Sequence, residues 1–432
     1  MLYAAQSSAG YDFLTSDSRE CNDKTAFVID WYSAKYIDDA RSNGAAAVLH
    51  AADLRRHFDT NMSIVGITGT NGKTTTAALI YSILLDLGHS VAMQGTRGFF
   101  INAKQSAEKH LTTPMLLENY ARIDRAKKEG CDFFVSEVSS HAIAQQRLEG
   151  IPFALKIHTN ITGDHLDFHG NIEEYRRVKN SFFADATPKW INRDDPLVLF
   201  NPANAQSYAI ESAATLKLEA YSPKDGLNGV VRFGDERAIF SSALIGHFNL
   251  YNILAAIGAV KTLTDKSLQT ICDQVENFGG VAGRMEVISR DPLIIVDFAH
   301  TPDGIDKALK ALQPRKIVAV FGAGGDRDKS KRAAMGAAAA KHSKRVFLTS
   351  DNPRGEDPMS IIEQIKAGCQ THADLRIEAD RRVAIGQAIA SLEKDEVLVI
   401  LGKGDEMFQE ICGQYYPFDD RLVVREALRE VA

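Results

Sequence analysis

The 432-residue sequence is short of cysteine, has no excess of positive charge and contains no long apolar run. Each shortage removes a class of function. Five cysteines, Cys21, Cys131, Cys272, Cys369 and Cys412, are scattered without a C-x-x-C pair. That argues against a disulfide framework or a zinc site and favours a reducing compartment. Lys and Arg number 50 against 56 Asp and Glu, a formal net charge of −6. No global positive field recruits nucleic acid or an anionic membrane, so an anionic ligand has to be met by local basic residues in a cleft. No stretch approaches the roughly 20 apolar residues that span a bilayer. The start, MLYAAQSSAGYDF, lacks the basic residues and apolar core of a signal peptide. The expectation is a cytoplasmic chain with neither nucleic-acid nor membrane partners. Internal repeats and low-complexity tracts are absent too.

What is present is organised around Ser63–Thr76, SIVGITGTNGKTTT. Ser63–Thr68 reads as a short buried strand and Gly69-Thr70-Asn71-Gly72-Lys73-Thr74 as a tight glycine loop. From Thr75 to Leu87, apolar residues recur at helical spacing up to Gly88. Strand, glycine loop and helix offer backbone N–H groups and a helix N-terminus to a phosphate. Lys73 then reaches the terminal phosphates and the Thr74 hydroxyl sits on magnesium. The usual first glycine of such a loop falls at Ile67, and the sequence has Gly66 and Gly69 instead.

Length suggests about three domains. Residues 1 to about 60 form a small mixed domain, with strands at Thr25–Asp30 and Ala45–Leu49 and a helix at Ala34–Asn43. The glycine loop opens a second, with strands at Asp132–Ser136, Lys156–Ile161 and Leu197–Phe200 and helices at Glu173–Phe183 and Ile253–Leu263. Strands alternating with helices predict a mostly parallel sheet covered on both faces. The glycine-rich stretch before Arg284 marks a boundary, and the pattern then restarts. Leu293–Val296, Lys316–Val320, Arg345–Leu348 and Glu396–Leu401 each end in a polar cluster. Ligands of open α/β sheets bind beyond such strand ends.

Glu137 ends a strand in the domain of the phosphate loop, where a carboxylate can share magnesium with Thr74. His165 follows a neighbouring strand end and is a candidate second ligand or a structural histidine. His158, His165 and His169 match no zinc motif. Lys179 reads plainly as a surface or ion-pairing lysine four residues after Tyr175. Arg327, Lys329, Lys331 and Arg332 form a basic stretch, and Arg354 beside Pro353 can grip a carboxylate in bidentate fashion. These residues describe an ATP- and Mg2+-using enzyme with a second substrate on its last domain, a ligase or a kinase. A nucleotide-regulated binding protein without catalysis is the rival of another class.

The motifs, taken together, resemble the Mur ligase family, and within it the tripeptide-forming branch. They are GTNGKT at Gly69–Thr74, Thr112-Thr113-Pro114, Glu137–His141, Asn160–Gly170, Tyr175–Lys179, Gly246–Asn252, Gly283–Glu286, Asp297–Gly304, Gly322–Arg332 and Asp351–Arg354, in order along nearly the whole chain. The resemblance implies an α/β fold of three domains. Residues 1–60 would be a small α/β domain for the UDP end of a substrate. Residues 61–283 would form a P-loop-type, mostly parallel sheet that binds ATP. Residues 284–432 would form a Rossmann-like sheet that binds an amino acid. It implies ligation of meso-diaminopimelate to UDP-N-acetylmuramoyl-L-alanyl-D-glutamate through an acyl phosphate, by a monomer.

By the same resemblance Gly69, Thr70, Asn71, Gly72, Lys73, Thr74, Thr75, Asn249, Asn252, Arg284, Asp297 and His300 bind ATP. Thr74, Glu137, His165 and an N-carboxylated Lys179 hold Mg2+, and Lys73, Glu137, His165 and Lys179 are the catalytic set. Thr112, Thr113, Ser139, Gln145 and Arg147 hold the muramoyl-dipeptide, and Ser16 and Ser18 its uridine end. Arg327, Asp351, Asn352, Pro353, Arg354, Gly402 and Glu406 bind the amino acid. An L-lysine-adding enzyme, another Mur-type ligase or a folylpolyglutamate-type ligase is the alternative within the superfamily. Three positions depart from the family pattern: Asp405 stands for histidine, Gly163 for arginine, and the stretch after Phe27 is short.

Overall fold

The structure, a computed structural model, describes residues 2–5, 10–102, 104–107, 111–224, 226–369 and 373–431. Among the described residues three large sheets and a two-stranded hairpin follow one another along the chain. The first has four short strands, Tyr3–Ala4, Phe13–Thr15, Thr25–Val28 and Ala47–Leu49, and the last three pair in parallel. The helix expected over Ala34–Asn43 is split into a 3-10 turn, Ala34–Tyr36, and a short helix, Ile37–Ser42. Of these residues only Ala40 is buried, so little packing enforces one continuous helix.

The second sheet has eleven strands. Its centre is parallel and runs in the order Ala205–Ala209, Lys189–Asn192, Phe153–His158, Ser63–Thr68, Phe133–Glu137 and Val91–Gly95. Ser63–Thr68 sits in the middle, buried except at Ser63, as its apolar run requires. Leu216–Ser222 extends the parallel run beside Ala205–Ala209, and antiparallel strands flank it: Leu227–Phe233 and Glu236–Ser242 on this edge, Gly98–Ile101 and Lys104–Ala107 on the other. The helices Lys73–Asp86 and Phe248–Leu263 bury their apolar residues in the same core as the Val65 and Ile67 strand.

Two expected strands are corrected. Lys156–Ile161 is instead Phe153–His158, because the chain turns at Asn160, whose carbonyl accepts from Thr70 N at 2.7 Å. Leu197–Phe200 is irregular. Asp195 Oδ1 accepts from Leu197 N at 3.0 Å and Asn180 Oδ1 from Leu199 N at 3.1 Å, so side chains take the place of a ladder.

The third sheet has six strands in the order Glu286–Arg290, Leu293–Asp297, Glu396–Leu401, Lys316–Phe321, Arg345–Leu348 and Asp374–Ile377. All pairs are parallel except the first. Helices Pro302–Lys310 and Arg332–His342 cover one face, Arg381–Ala390 and Asp420–Val431 the other. Pro302 and Pro358 open helices whose caps are Thr301 and Asp357, accepting from Gly304 N at 3.1 Å and Ser360 N at 2.9 Å. A hairpin, Phe408–Ile411 with Gln414–Pro417, closes off the Arg354 loop. Among the described residues no helix is long and apolar enough to cross a membrane.

Candidate active site

The phosphate loop leaves the carboxyl end of the central strand. Gly72 caps the helix with φ 87 and gives it no side-chain cap. A Cβ there would collide with Asn252 Oδ1. The first-turn N–H groups are thus left for an outside acceptor, as a phosphate site needs. Lys73 Nζ folds back to donate to Gly69 O at 2.8 Å and Thr70 O at 2.9 Å. Asn71 N donates to Asn160 Oδ1 at 3.1 Å, and Thr70 Oγ1 meets the Tyr175 hydroxyl at 2.8 Å.

Glu137 lies at the end of the adjacent strand and is buried. Its Oε2 accepts from the Thr74 hydroxyl at 2.9 Å, and Thr96 adds its N–H to Oε1 at 2.9 Å and its hydroxyl to Oε2 at 3.2 Å. Gly95 makes room: a Cβ on it would collide with Glu137 Oε1. This hard-oxygen pair suits magnesium, which takes one or two carboxylates and completes its shell with water and phosphate. Among the described residues no three His, Cys, Asp or Glu side chains gather round one point. A cation here therefore rests on Glu137 and Thr74 together with oxygens that substrate or a modified lysine would bring.

Lys179 is buried, which the sequence did not signal. Its Nζ donates to Gly69 O at 2.8 Å and Thr68 Oγ1 at 3.4 Å. Burial, and then the Lys73 ammonium, pushes its pKa well below the ordinary lysine range. His165 has φ 54 and lies 3.4 Å from Asp164, with its ring edge-on to His141 at 4.8 Å. Burial, assisted by the cations around it and opposed by Asp164, lowers its pKa to about 4. The ring is neutral at pH 7 and fit to ligate. His158 lies apart, buried 3.2 Å from Asp195, and His169 Nε2 meets Ser140 Oγ at 3.0 Å.

The expected nucleotide residues form two groups. Asn252 Nδ2 donates to Asn249 Oδ1 at 2.8 Å beneath the loop, while Asn249 Nδ2 donates to Ile245 O at 2.8 Å. From the third sheet, the Arg284 guanidinium lies 4.3 Å over the Phe298 ring. Asp297 accepts from Met285 N at 2.7 Å and Ala299 N at 2.8 Å, and its burial raises its pKa. His300 Nδ1 donates to Phe298 O at 2.9 Å and the residue is exposed. The two groups meet at Asp303, which sequence reading left unnamed. Its Oδ2 accepts from Asn71 Nδ2 at 2.8 Å, Thr162 Oγ1 at 3.0 Å and Lys307 Nζ at 2.9 Å.

The residues expected to hold the dipeptide are one network behind Glu137. Thr113 Oγ1 donates to Glu137 O at 2.9 Å and accepts from Ser139 N at 3.0 Å. Arg147 Nη1 donates to Thr113 O at 2.9 Å and Nη2 to Gln145 Oε1. Thr112 Oγ1 lies 3.3 Å from Thr96 Oγ1. Ser16 and Ser18 lie in the first sheet's loop; Ser18 is buried and its carbonyl accepts from Asn43 Nδ2 at 2.9 Å.

At the third sheet, Asn352 Nδ2 donates to Glu406 Oε2 at 2.8 Å, and buried Lys403 donates to both side chains at 3.2 and 3.1 Å. Gly402 is pressed against Asp351, where a Cβ would lie 2.6 Å from Oδ2. Pro353 is buried beside them, and Arg327 is exposed on the glycine loop. Arg354 does not offer a free bidentate edge. Its Nε donates to Glu410 at 2.9 Å and its Nη1 to Gly325 O at 2.7 Å. Asp405, the departure from histidine, sits where the backbone of Gly283 crosses it closely. Gly163 is exposed, and a Cβ added there would lie 3.2 Å from Ile172 Cδ1. Thr96, Asp303, Lys403 and Glu410 are the contributors that sequence reading missed. The Gly95-Thr96-Arg97-Gly98 turn after a buried strand was the one local signal available for Thr96.

Comparison with known proteins places the chain as a whole. Residues 67–260 match the family described as the Mur ligase middle domain, and residues 283–404 match the Mur ligase, glutamate ligase domain. A protein of Wolinella succinogenes named UDP-N-acetylmuramoyl-L-alanyl-D-glutamate–2,6-diaminopimelate ligase is 53% identical over 97% of both chains. One of Helicobacter hepaticus with the same name is 53% identical over 86% of this chain and 82% of its own. A solved structure of a ligase with that name superposes with a TM-score of 0.69 at 31% identity, covering 97% of this chain and 94% of the other. The MurF ligase of Thermotoga maritima in complex with ADP shares the fold, with a TM-score of 0.61 at 18% identity over 96% of each chain.

Proposed function

The chain belongs to the Mur ligase family, and from that premise we propose that it joins meso-diaminopimelate to UDP-N-acetylmuramoyl-L-alanyl-D-glutamate at the expense of ATP, in peptidoglycan precursor synthesis. One contact carries the reading. Asn71 of the phosphate loop and Asp303 of the third sheet meet at 2.8 Å. The strand ends that would activate a carboxyl and those that would present an amine therefore open onto one cleft. The 53% identical relatives named for this pair of substrates support its chemical identity.

In the proposed reaction the γ-phosphoryl group of ATP passes to the γ-carboxylate of the D-glutamate residue. ADP leaves and an acyl phosphate remains. The diaminopimelate amine attacks the acyl carbon and loses a proton, and the tetrahedral intermediate expels phosphate to leave the amide. A carboxylate is a poor electrophile until it carries this leaving group. The N–H groups of the helix's first turn, Lys73 to Thr75, and the Lys73 ammonium hold the phosphates and stabilise charge in transfer, while Thr70 N and Asn71 N, bonded to Asn160, fix the shape of the loop. Asn249 and Asn252 meet adenine, and Arg284, Asp297 and His300 approach the nucleotide from the far side. Thr112, Thr113, Ser139, Gln145 and Arg147 hold the dipeptide, and Ser16 and Ser18 the uridine end. Arg327, Asp351, Asn352, Pro353, Arg354, Gly402 and Glu406 surround the amino acid.

Thr74, Glu137, His165 and carboxylated Lys179 would hold magnesium, which neutralises phosphate charge. The carbamate forms when the neutral Lys179 amine adds to carbon dioxide and gives up a proton. Residues 1–60, 61–283 and 284–432 act as the three modules, in a cytoplasmic monomer. The test is phosphate release with ATP and the UDP-muramoyl-dipeptide against a panel of amino acids. Turnover that prefers diaminopimelate is expected, and preference for L-lysine, glutamate or alanine would overturn the assignment.

A further inference from the structure

One face of the helix Lys73–Asp86 opens onto a cavity. Leu79, Ile80, Ile83 and Leu84 are fully buried in the core of the second sheet. Ala78, Tyr81, Ser82 and Leu85 lie at the spacing of a single helical stripe and border a cavity of about 300 Å³. Met93 and Phe100, opposite each other on neighbouring strands, continue its wall. Phe278, from the stretch that leads to the third sheet, completes it. The wall is therefore mostly aliphatic and aromatic carbon, contributed by elements far apart in the chain.

Arg97 is the one charged residue in this wall. It is half-buried in the turn after Val91–Gly95, and its guanidinium lies 5.5 Å from the centre of the Phe100 ring. Buried arginines elsewhere meet carboxylates: Arg122 meets Glu118, Arg332 meets Glu356 and Arg345 meets Asp374. Among the described residues no carboxylate pairs with Arg97. A lone cation beside an apolar cavity complements an anion that carries an apolar body. The position also gives such a ligand a hold on the reaction site. Thr96, the preceding residue, donates its N–H and hydroxyl to Glu137 at 2.9 and 3.2 Å. The helix on the other wall begins at Lys73 of the phosphate loop. A molecule seated between helix and turn touches both.

We propose that this cavity is a regulatory site for a small amphiphilic carboxylate, with its apolar chain against Met93, Phe100 and Phe278 and its carboxylate on Arg97. The binding stands apart from the function proposed above, and only its regulatory effect rests on that reading. Calorimetry on the full-length enzyme without nucleotide, using octanoate and its uncharged amide, reads the site without turnover. Octanoate should bind saturably and about tenfold or more tighter than the amide, and Arg97→Gln should erase that difference. Ser82→Phe fills the cavity from the half-buried helix face and should abolish binding of both. A melting curve shows whether this variant is folded, and the comparison of acid with amide on the wild type needs no variant. Absence of saturable octanoate binding, equal affinity for acid and amide, or binding that survives in folded Ser82→Phe would overturn the site. In turnover assays, saturating octanoate should shift the magnesium concentration for half-maximal rate about fivefold or more in the wild type and leave Ser82→Phe unmoved. Binding with an unshifted magnesium curve would overturn the regulatory role alone. A wild-type enzyme that rejects diaminopimelate would overturn the proposed function and leave the calorimetry standing.

Discussion

Lys73 and Lys179 converge on a single carbonyl oxygen: both Nζ atoms donate to Gly69 O at 2.8 Å. Two ammonium groups sharing one acceptor repel each other, and burial makes the repulsion costly. Burial lowers the pKa of both, but Glu137 and Asp164 pull Lys73 back up, while Lys179 has Lys73 against it and Asp164 alone in its favour. Lys179 is the partner whose proton is held less firmly. A neutral amine is nucleophilic toward carbon dioxide, and a carbamate formed there would turn a repulsion into an attraction.

Lys179→Ala should therefore cut turnover about 100-fold or more, the scale of one electrostatic group in a water-poor site. Small carboxylates added to the assay should restore part of it, because they supply the missing anion. The wild-type enzyme should lose activity when bicarbonate is stripped and regain it on readdition. Nuclear magnetic resonance with 13C-bicarbonate should show a carbamate carbon in the wild type and none in the variant. Its absence from the wild type would end the idea.

The Glu137 carboxylate receives three donors, two of them from Thr96. Glu137→Gln keeps the size of the side chain but removes the charge that would face a divalent cation. The magnesium concentration for half-maximal rate should rise about tenfold, with a lower kcat. Thr96→Val leaves the backbone donor in place, so its shift should be smaller and in the same direction. Equal magnesium curves for all three proteins would detach Glu137 from the metal.

Arg354→Ala should raise KM for diaminopimelate, with a loss of about 1.5–3 kcal/mol of charged hydrogen bonding. KM for ATP should hold, since the Arg354 side chain bonds to Gly325 and Glu410, away from the phosphate loop's own partners. A rise in both constants would indicate that the loop has collapsed.

Much of this was legible before any coordinates. The strands Arg345–Leu348 and Glu396–Leu401 were readable to the residue, because buried parallel strands are short unbroken apolar runs. The phosphate loop was legible because its glycines answer to backbone geometry. The hairpins Gly98–Ile101 with Lys104–Ala107 and Leu227–Phe233 with Glu236–Ser242 were not, since their half-exposed alternation is weak against loop background. The pattern that reads Lys179 as a surface or ion-pairing lysine fails to show its burial for a related reason. Its helix, Ile172–Ser181, is polar on most sides, and only tertiary packing buries that one amine. Asp303, Glu410 and Thr96 matter through partners far away in sequence, which local pattern cannot reveal.

Asp303 joins two sheets through Asn71 and Thr162. Asp303→Ala removes both bonds while leaving the helix cap at Thr301 intact. The two modules should then separate more readily. Small-angle scattering should give a larger radius of gyration, and KM for ATP should rise about three- to tenfold, as loss of one or two hydrogen bonds implies. An unchanged radius with unchanged KM would mean that other contacts set the closure.

Asp194 makes a prediction about acid. Its Oδ2 accepts from Ile210 N at 2.7 Å and Glu211 N at 2.9 Å, and its Oδ1 from Ser212 N at 2.7 Å. Partial burial pushes its carboxyl up, but these bonds outweigh it and hold the pKa at about 2. The unfolded chain has the ordinary aspartate value near 3.9. Because the folded value is the lower one, the unfolded state binds more protons in between, and stability falls as pH falls. The contribution is complete above about pH 5 and drains away toward pH 2. Asp194→Ala should cost about 1 kcal/mol at pH 7, a figure discounted because the group is largely solvated. The same substitution should cost less at pH 3. Urea unfolding followed through Trp190, buried in the same sheet, reads both values. A penalty that stays constant between the two pH values would show that Asp194 caps the 210–212 turn by shape and not by charge.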